Sequence, residues 1–130
     1  MVTVWTNGCF DVLHRGHVEL LKYCRKVGHF VIVGLDSDDK VSKDKGPDRP
    51  FNCLEDRIAM LESIKFVDMV EVFSSKEELE DKIKYHSPDF LIVGSDWRGK
   101  DVVGEKYAKK VLFFERIGNY STTKILNSKK

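Results

Sequence analysis

Two histidines three residues apart, His14 and His17, flank Gly16 in the stretch NGCFDVLHRGH. A run with helical periodicity begins here. It places His17 in the first turn and His14 just before it. A helix N-terminus offers unpaired N–H groups and a partial positive charge, so it attracts phosphate. Two imidazoles there add donors aimed at the same anion, and Gly16 leaves room for close approach. The plain alternative is a histidine cap beside a surface histidine; the spacing and the position after a first apolar run favour phosphate. Zinc held by His14, His17 and Cys9 is disfavoured, because no second Cys/His pair accompanies them. Cys9 has no evident activating neighbour and suits a tight turn better than a nucleophile's place.

Three further segments carry reactive residue types. Lys40, Lys43, Lys45 and Arg49 are interleaved with Asp44 and Asp48. Cations over a phosphate site would neutralise a polyphosphate. Most of these read as solvated charge, but Lys45 beside Gly46–Pro47 stands out. Arg57, on the next helical run, either reaches a substrate phosphate or pairs with Glu55 or Asp56. In GSDWRGK, Asp96 suits a hydrogen bond from a base or ribose, and Trp97 suits covering one side of it. A capping aspartate and a partly buried indole are the ordinary alternative. In RIGNYSTT, Arg116 suits phosphate or base, and Ser121, Thr122 and Thr123 suit phosphate oxygens at a second helix start. Alone, STT is only a cap.

The elements that must hold these residues follow from periodicity. Val2–Thr6 reads as a strand, Gly16 to about Val27 as an amphipathic helix ended by Gly28, and His29–Leu35 as a strand buried on both faces. Asp36–Pro50, with two prolines and a glycine, reads as a loop. Leu54–Ile64 reads as helix, Val67–Phe73 as strand, Lys76–Tyr85 as charged helix, Asp89–Gly94 and Lys110–Phe114 as strands, and Ser121 to about Asn127 as a short last helix. This alternation predicts an α/β fold with a parallel sheet of about five strands and helices on both faces. Ligands of such sheets bind beyond the C-terminal strand ends, near the switch in strand order. NGCFDVLHRGH, DSDDK, GSDWRGK and RIGNYSTT follow strands one, two, four and five, so all four open onto one edge.

The bulk properties set bounds. The 130 residues, with a net charge of +1, predict a single domain spanning 1–130 and no general attraction to nucleic acid or anionic membrane. No apolar run spans a bilayer, and MVTVWTNG lacks a signal peptide's layout. Three widely spaced cysteines predict reduced thiols and a cytoplasmic setting. The C-terminal NSKK reads as a frayed tail. A phospho-receiver domain is disfavoured, because VEVFSSKEE offers no aspartate at the end of strand three.

GCFDVLHRGH resembles the HxGH signature of cytidylyltransferase-like nucleotidyltransferases, and RIGNYSTT resembles their RTxGISTT signature. The resemblance covers nearly the whole chain. GSDWRGK and Arg116 are similar to glycerol-3-phosphate cytidylyltransferase, whereas TNGCFDVLHRGH, KGPDRPFN and LEDRIAML are similar to the adenylyltransferase domain of heptose-phosphate enzymes. Ile117 and Asn119–Tyr120 depart from the common signature. The resemblance implies a Rossmann-like fold and a magnesium-dependent transfer of a nucleotidyl group from a nucleoside triphosphate. His14, His17, Lys45 and Arg116 would be catalytic. Gly8, Cys9, Phe10, Asp11, Gly16, Asp96, Trp97 and Ser121–Thr123 would bind nucleotide and Asp38 and Arg57 the acceptor, while Asp11 would also help bind the metal or fix the histidine loop. Arg116 and GSDWRGK favour CTP, with a small polyol or sugar phosphate as acceptor and a cell-surface polymer precursor as product. The alternatives are an ATP-dependent enzyme acting on a sugar 1-phosphate such as a heptose phosphate, and a non-catalytic nucleotide-binding module. A homodimer is also implied.

Overall fold

A computed structural model describes residues 1–116, 118 and 121–127. Ile117, Asn119, Tyr120 and the tail residues 128–130 lie outside the described residues, so the signature departures and most of the predicted tail are not placed. The strands are β1 (Thr3–Gly8), β2 (Phe30–Asp36), β3 (Met69–Phe73), β4 (Phe90–Gly94) and β5 (Lys110–Phe114). The helices are α1 (Arg15–Val27), α2 (Asp38–Lys45), α3 (Leu54–Glu62), α4 (Lys76–His86) and α5 (Thr122–Asn127). All strand pairs are parallel, in the order β3-β2-β1-β4-β5. Among the described residues, no helix is long and apolar enough to cross a membrane.

Side-chain alternation builds two cores, one on each face. Val4, Val31, Val33, Leu35 and Ile92 pack with Leu21 and Cys24 of α1 and Leu61 of α3. Trp5, Ile32 and Leu91 pack with Leu79 and Ile83 of α4 on the other face. Period-2 alternation on strands buried from both sides produces this division. Trp5 is fully buried, and its indole N–H donates to Asn7 Oδ1 at 3.1 Å. Gly34 of β2 makes room for it, since a Cβ there would lie 2.6 Å from Trp5 Cζ2.

The strand order reverses between β1 and β4. β1 pairs with β2 over six residue pairs but with β4 over only two, Val4–Phe90 and Trp5–Leu91. Beyond them the Thr6 hydroxyl donates to Ile92 O at 2.9 Å, a side-chain bond replacing the ladder. The sheet therefore opens at its switch point, where α/β sheets bind ligands.

One expected loop is half helix. α2 fills Asp38–Lys45. Ser37 caps it by accepting from Lys40 N–H, acids occupy its first turn and Lys43 and Lys45 its last, which suits the helix dipole. The breakers, Gly46, Pro47 and Pro50, all come after it.

Gly34→Ala should cost about 1–3 kcal/mol, the usual range for overpacking a core. Urea denaturation checks this, and a wild-type midpoint would mean that Trp5 moves aside freely.

Candidate active site

The turn from β1 into α1 is strained. Phe10 and Val12 both have positive φ, 49° and 52°. That conformation is unusual for any side chain and more so for a β-branched one. Three sets of bonds hold it. Asp11 is buried, and its carboxylate accepts from the N–H groups of Phe51 at 2.7 Å and Asn52 at 2.8 Å. The Thr122 hydroxyl donates to Asp11 O. The buried Arg57 guanidinium donates to Cys9 O (2.9 Å), Asp36 O (2.8 Å), Asn52 O (3.1 Å) and Asp38 Oδ1 (2.7 Å).

The strained turn delivers the histidines into a reciprocal cap. His14 is the N-cap of α1, and its Nδ1 accepts from Gly16 N–H at 3.0 Å. His17 Nδ1 accepts from His14 N–H at 3.2 Å. The rings stack with centroids 3.8 Å apart. A nitrogen that accepts cannot carry the proton, so in both neutral rings the hydrogen sits on Nε2. The cap and the phosphate reading thus coexist: one edge of each ring serves the helix and the other is a donor. Burial, helped by His14 and Lys45, lowers the His17 pKa to about 4. Burial and the nearby Arg116 lower that of His14.

Both rings line a cavity of about 470 Å³ at the open switch point. The turn after β1 contributes His14, Gly16 and His17. The end of α2 contributes Lys45, the exit of β4 contributes Asp96 and Trp97, and the segment after β5 contributes Arg116 and Ser121–Thr123. Leu20, Gly94 and Phe114 also line it, and sequence reasoning missed them. Leu20 stands one turn after Gly16, while Gly94 and Phe114 are the last residues of their strands; those positions were the available signal. Arg116 pairs with Asp96 at 3.8 Å, with both side chains mostly exposed. Lys40, by contrast, is held by Asp36 and Asp44.

A second cavity of about 180 Å³ adjoins the first and shares His17, Leu20, Lys45 and Thr122 with it. Gly8, Cys9, Phe10, Asp11 and Arg49 line it. Burial raises the Cys9 thiol pKa, leaving a weak nucleophile.

Several expected roles change. Arg57 and Asp38, expected at the acceptor, line neither cavity. Arg57 pairs with Asp38 rather than Glu55 or Asp56 and is an internal tie. Asp11, expected as a metal ligand, has both oxygens engaged by backbone N–H groups. Thr122, expected to donate to phosphate, gives its hydroxyl hydrogen to Asp11 O, whereas Ser121 Oγ accepts from Lys124 N–H and keeps its own hydrogen to give. Among the described residues, no group of three His, Cys, Asp or Glu side chains could hold a metal. Asp96 is the carboxylate lining the large cavity and is an oxygen donor of the type that would suit magnesium there.

The depressed His17 pKa has a sign. Above about pH 6.5 the ring is neutral folded or unfolded. Between 6.5 and about 4 the unfolded chain takes the proton first, so stability falls as pH falls, and the loss is complete near pH 4. The wild-type melting temperature should therefore drop more across that window than that of His17→Gln. Parallel profiles would show that burial does not hold the ring neutral.

The sequence model of the cytidylyltransferase-like family matches residues 5–127. The chain is 43% identical over 124 residues to the Bifunctional protein HldE of Campylobacter fetus subsp. fetus, covering 95% of this chain and 27% of that protein. It is 44% identical over 125 residues to the protein of that name from Helicobacter hepaticus, covering 96% and 26%. It thus spans about a quarter of the length of these relatives. In fold it is similar to the lipopolysaccharide core biosynthesis protein from Thermoplasma volcanium, with a TM-score of 0.70, 24% identity, and 93% of this chain and 99% of that one covered. A pantoate-beta-alanine ligase from Francisella tularensis is also similar in fold, with a TM-score of 0.61, 15% identity, and 98% and 68% covered. With its parallel sheet, its switch point and two histidines beside it, this chain belongs to the cytidylyltransferase-like family.

Proposed function

We propose that this chain transfers an adenylyl group from ATP to a sugar 1-phosphate such as a heptose phosphate. The observation that carries this choice is the 43–44% identity to bifunctional HldE proteins over nearly the whole chain. The resemblance of KGPDRPFN and LEDRIAML to the adenylyltransferase domain of heptose-phosphate enzymes agrees with it. The choice replaces the expectation of CTP and glycerol 3-phosphate, which rested on Arg116 and GSDWRGK. Arg116 is mostly exposed and paired with Asp96. That position suits a triphosphate as well as a base and gives CTP no advantage.

In the reaction, an oxygen of the acceptor phosphate attacks the α-phosphorus in line. A new P–O bond forms, the bond from the α-phosphorus to the bridging oxygen breaks, and pyrophosphate leaves. A phosphate monoester is largely ionised at pH 7, since its second pKa is near 6, so no general base is required. Neutral His14 and His17 fit that need: they offer Nε2–H donors to the charge developing on the α-phosphate. Lys45 and Arg116 neutralise the triphosphate and the leaving group, and Ser121 donates to the outer phosphates. Asp96 would be the carboxylate offered to magnesium, which would supply charge neutralisation for the triphosphate. Phosphoryl chemistry of this kind depends on positioning and charge stabilisation. A homodimer in a cytoplasmic setting belongs to the same reading.

Pyrophosphate release with magnesium, crossing ATP and CTP against sugar 1-phosphates and glycerol 3-phosphate, tests it. Release with ATP and a sugar 1-phosphate is expected. Release only with CTP and a polyol phosphate would restore the cytidylyl reading, and none with any pair would favour a binding module. His17→Ala should lower turnover by about 10²–10³-fold, the scale of one lost transition-state donor. Wild-type turnover in the folded variant would remove His17 from the chemistry.

A further inference from the structure

Two arginines flank the strained turn, and the protein treats them oppositely. Arg57 has every guanidinium nitrogen bonded to protein oxygen. Arg49 has its Nε and Nη2 buried without a hydrogen-bond partner among the described residues. Its nearest acid is Asp11, with Oδ2 3.5 Å from Nε. Both Asp11 oxygens already accept from Phe51 and Asn52 N–H at shorter distance. A desolvated guanidinium with unanswered donors is costly in a folded protein, so such a group calls for an explanation.

The backbone that carries Arg49 is held in place. Its N–H donates to Gly46 O at 3.1 Å, and its own carbonyl accepts from the Ser42 hydroxyl. Phe51 and Asn52, two and three residues further on, are tied to Asp11. Its side chain lines the smaller cavity, where Lys45 and His17 stand on the boundary with the larger one. A fixed planar fork, an ammonium and an imidazole donor around a small cavity match a phosphate group, which a guanidinium grips by two parallel bonds.

We infer that Arg49 binds the phosphate of the acceptor in the smaller cavity while the nucleotide occupies the larger one. This rests on the proposed transfer to a sugar phosphate. The arrangement accounts for the shared wall: the attacking oxygen enters from the Arg49 side and meets the α-phosphorus at His17 and Lys45.

The test varies ATP and the sugar 1-phosphate separately in steady-state kinetics of Arg49→Met and Arg49→Lys. Loss of a charge-assisted pair should raise the acceptor KM of Arg49→Met by about 10- to 100-fold, with the ATP KM within about twofold. Arg49→Lys restores the charge but not the fork, so its acceptor KM should fall between. If Arg49→Met does not fold, Arg49→Lys still decides: an unchanged acceptor KM overturns the assignment, as does a rise in the ATP KM instead. A second measurement separates this inference from the function it rests on. Inorganic phosphate is titrated calorimetrically into the full chain saturated with a non-hydrolysable ATP analogue. Should no sugar phosphate be turned over, the proposed function fails. Phosphate binding weakened tenfold or more in either Arg49 variant would then still uphold the subsite, and equal or undetectable binding in all forms would overturn it.

Discussion

A single buried cation registers the parts of the site against one another. Arg57 reaches from α3 to the carbonyls of Cys9, Asp36 and Asn52 and to the carboxylate of Asp38. Those oxygens belong to the turn after β1, the end of β2, the loop before α3 and the start of α2. Without it, three carbonyls would lose a donor, the one of Cys9 in a buried setting, and buried carbonyls are rarely left unpaired. The guanidinium is suited to the place because its donors are fixed in a plane and its charge is never lost. A lysine could not meet four acceptors in four directions.

From that tie the site assembles in order. Asp11 joins the same turn to the backbone of Phe51 and Asn52, and Thr122 joins it to α5. These bonds hold Phe10 and Val12 at positive φ. The strain is local and is borne by the surrounding bonds, as is common at functional sites. Its result is a turn that presents two stacked imidazoles with their hydrogens on the same type of nitrogen. The reciprocal cap serves stability and chemistry through opposite edges of each ring.

The neighbouring arginines show how context divides equivalent side chains. Arg57 is buried, Arg49 is mostly so, and both lie within reach of Asp11's turn. One is saturated by protein oxygen; the other has Nε and Nη2 without a hydrogen-bond partner among the described residues, where the inferred phosphate would sit. Burial alone therefore does not separate a structural cation from a binding one. The count of satisfied donors does.

Much of this architecture is legible in the amino-acid sequence. The alternation of apolar runs determined a parallel sheet, because strands buried on both faces need helices on each side. It also placed the four reactive segments at one edge, since every strand of such a sheet points the same way. Residue type and spacing marked His14 and His17 for phosphate, with Lys45, Arg116 and STT as candidates on the same edge. What remained hidden depends on contacts between residues far apart in the chain. The partners of Arg57 lie 5 to 48 residues away from it, and no local pattern announces them. The resemblance offered Asp11 as a metal ligand or as a brace for the histidine loop; only the fold brought two N–H groups from residues 51 and 52 onto it. α2 was concealed by prolines that lie beyond its end. Periodicity and residue chemistry are local and survive in the sequence, whereas the satisfaction of a buried donor is decided by which backbone the tertiary structure carries to it.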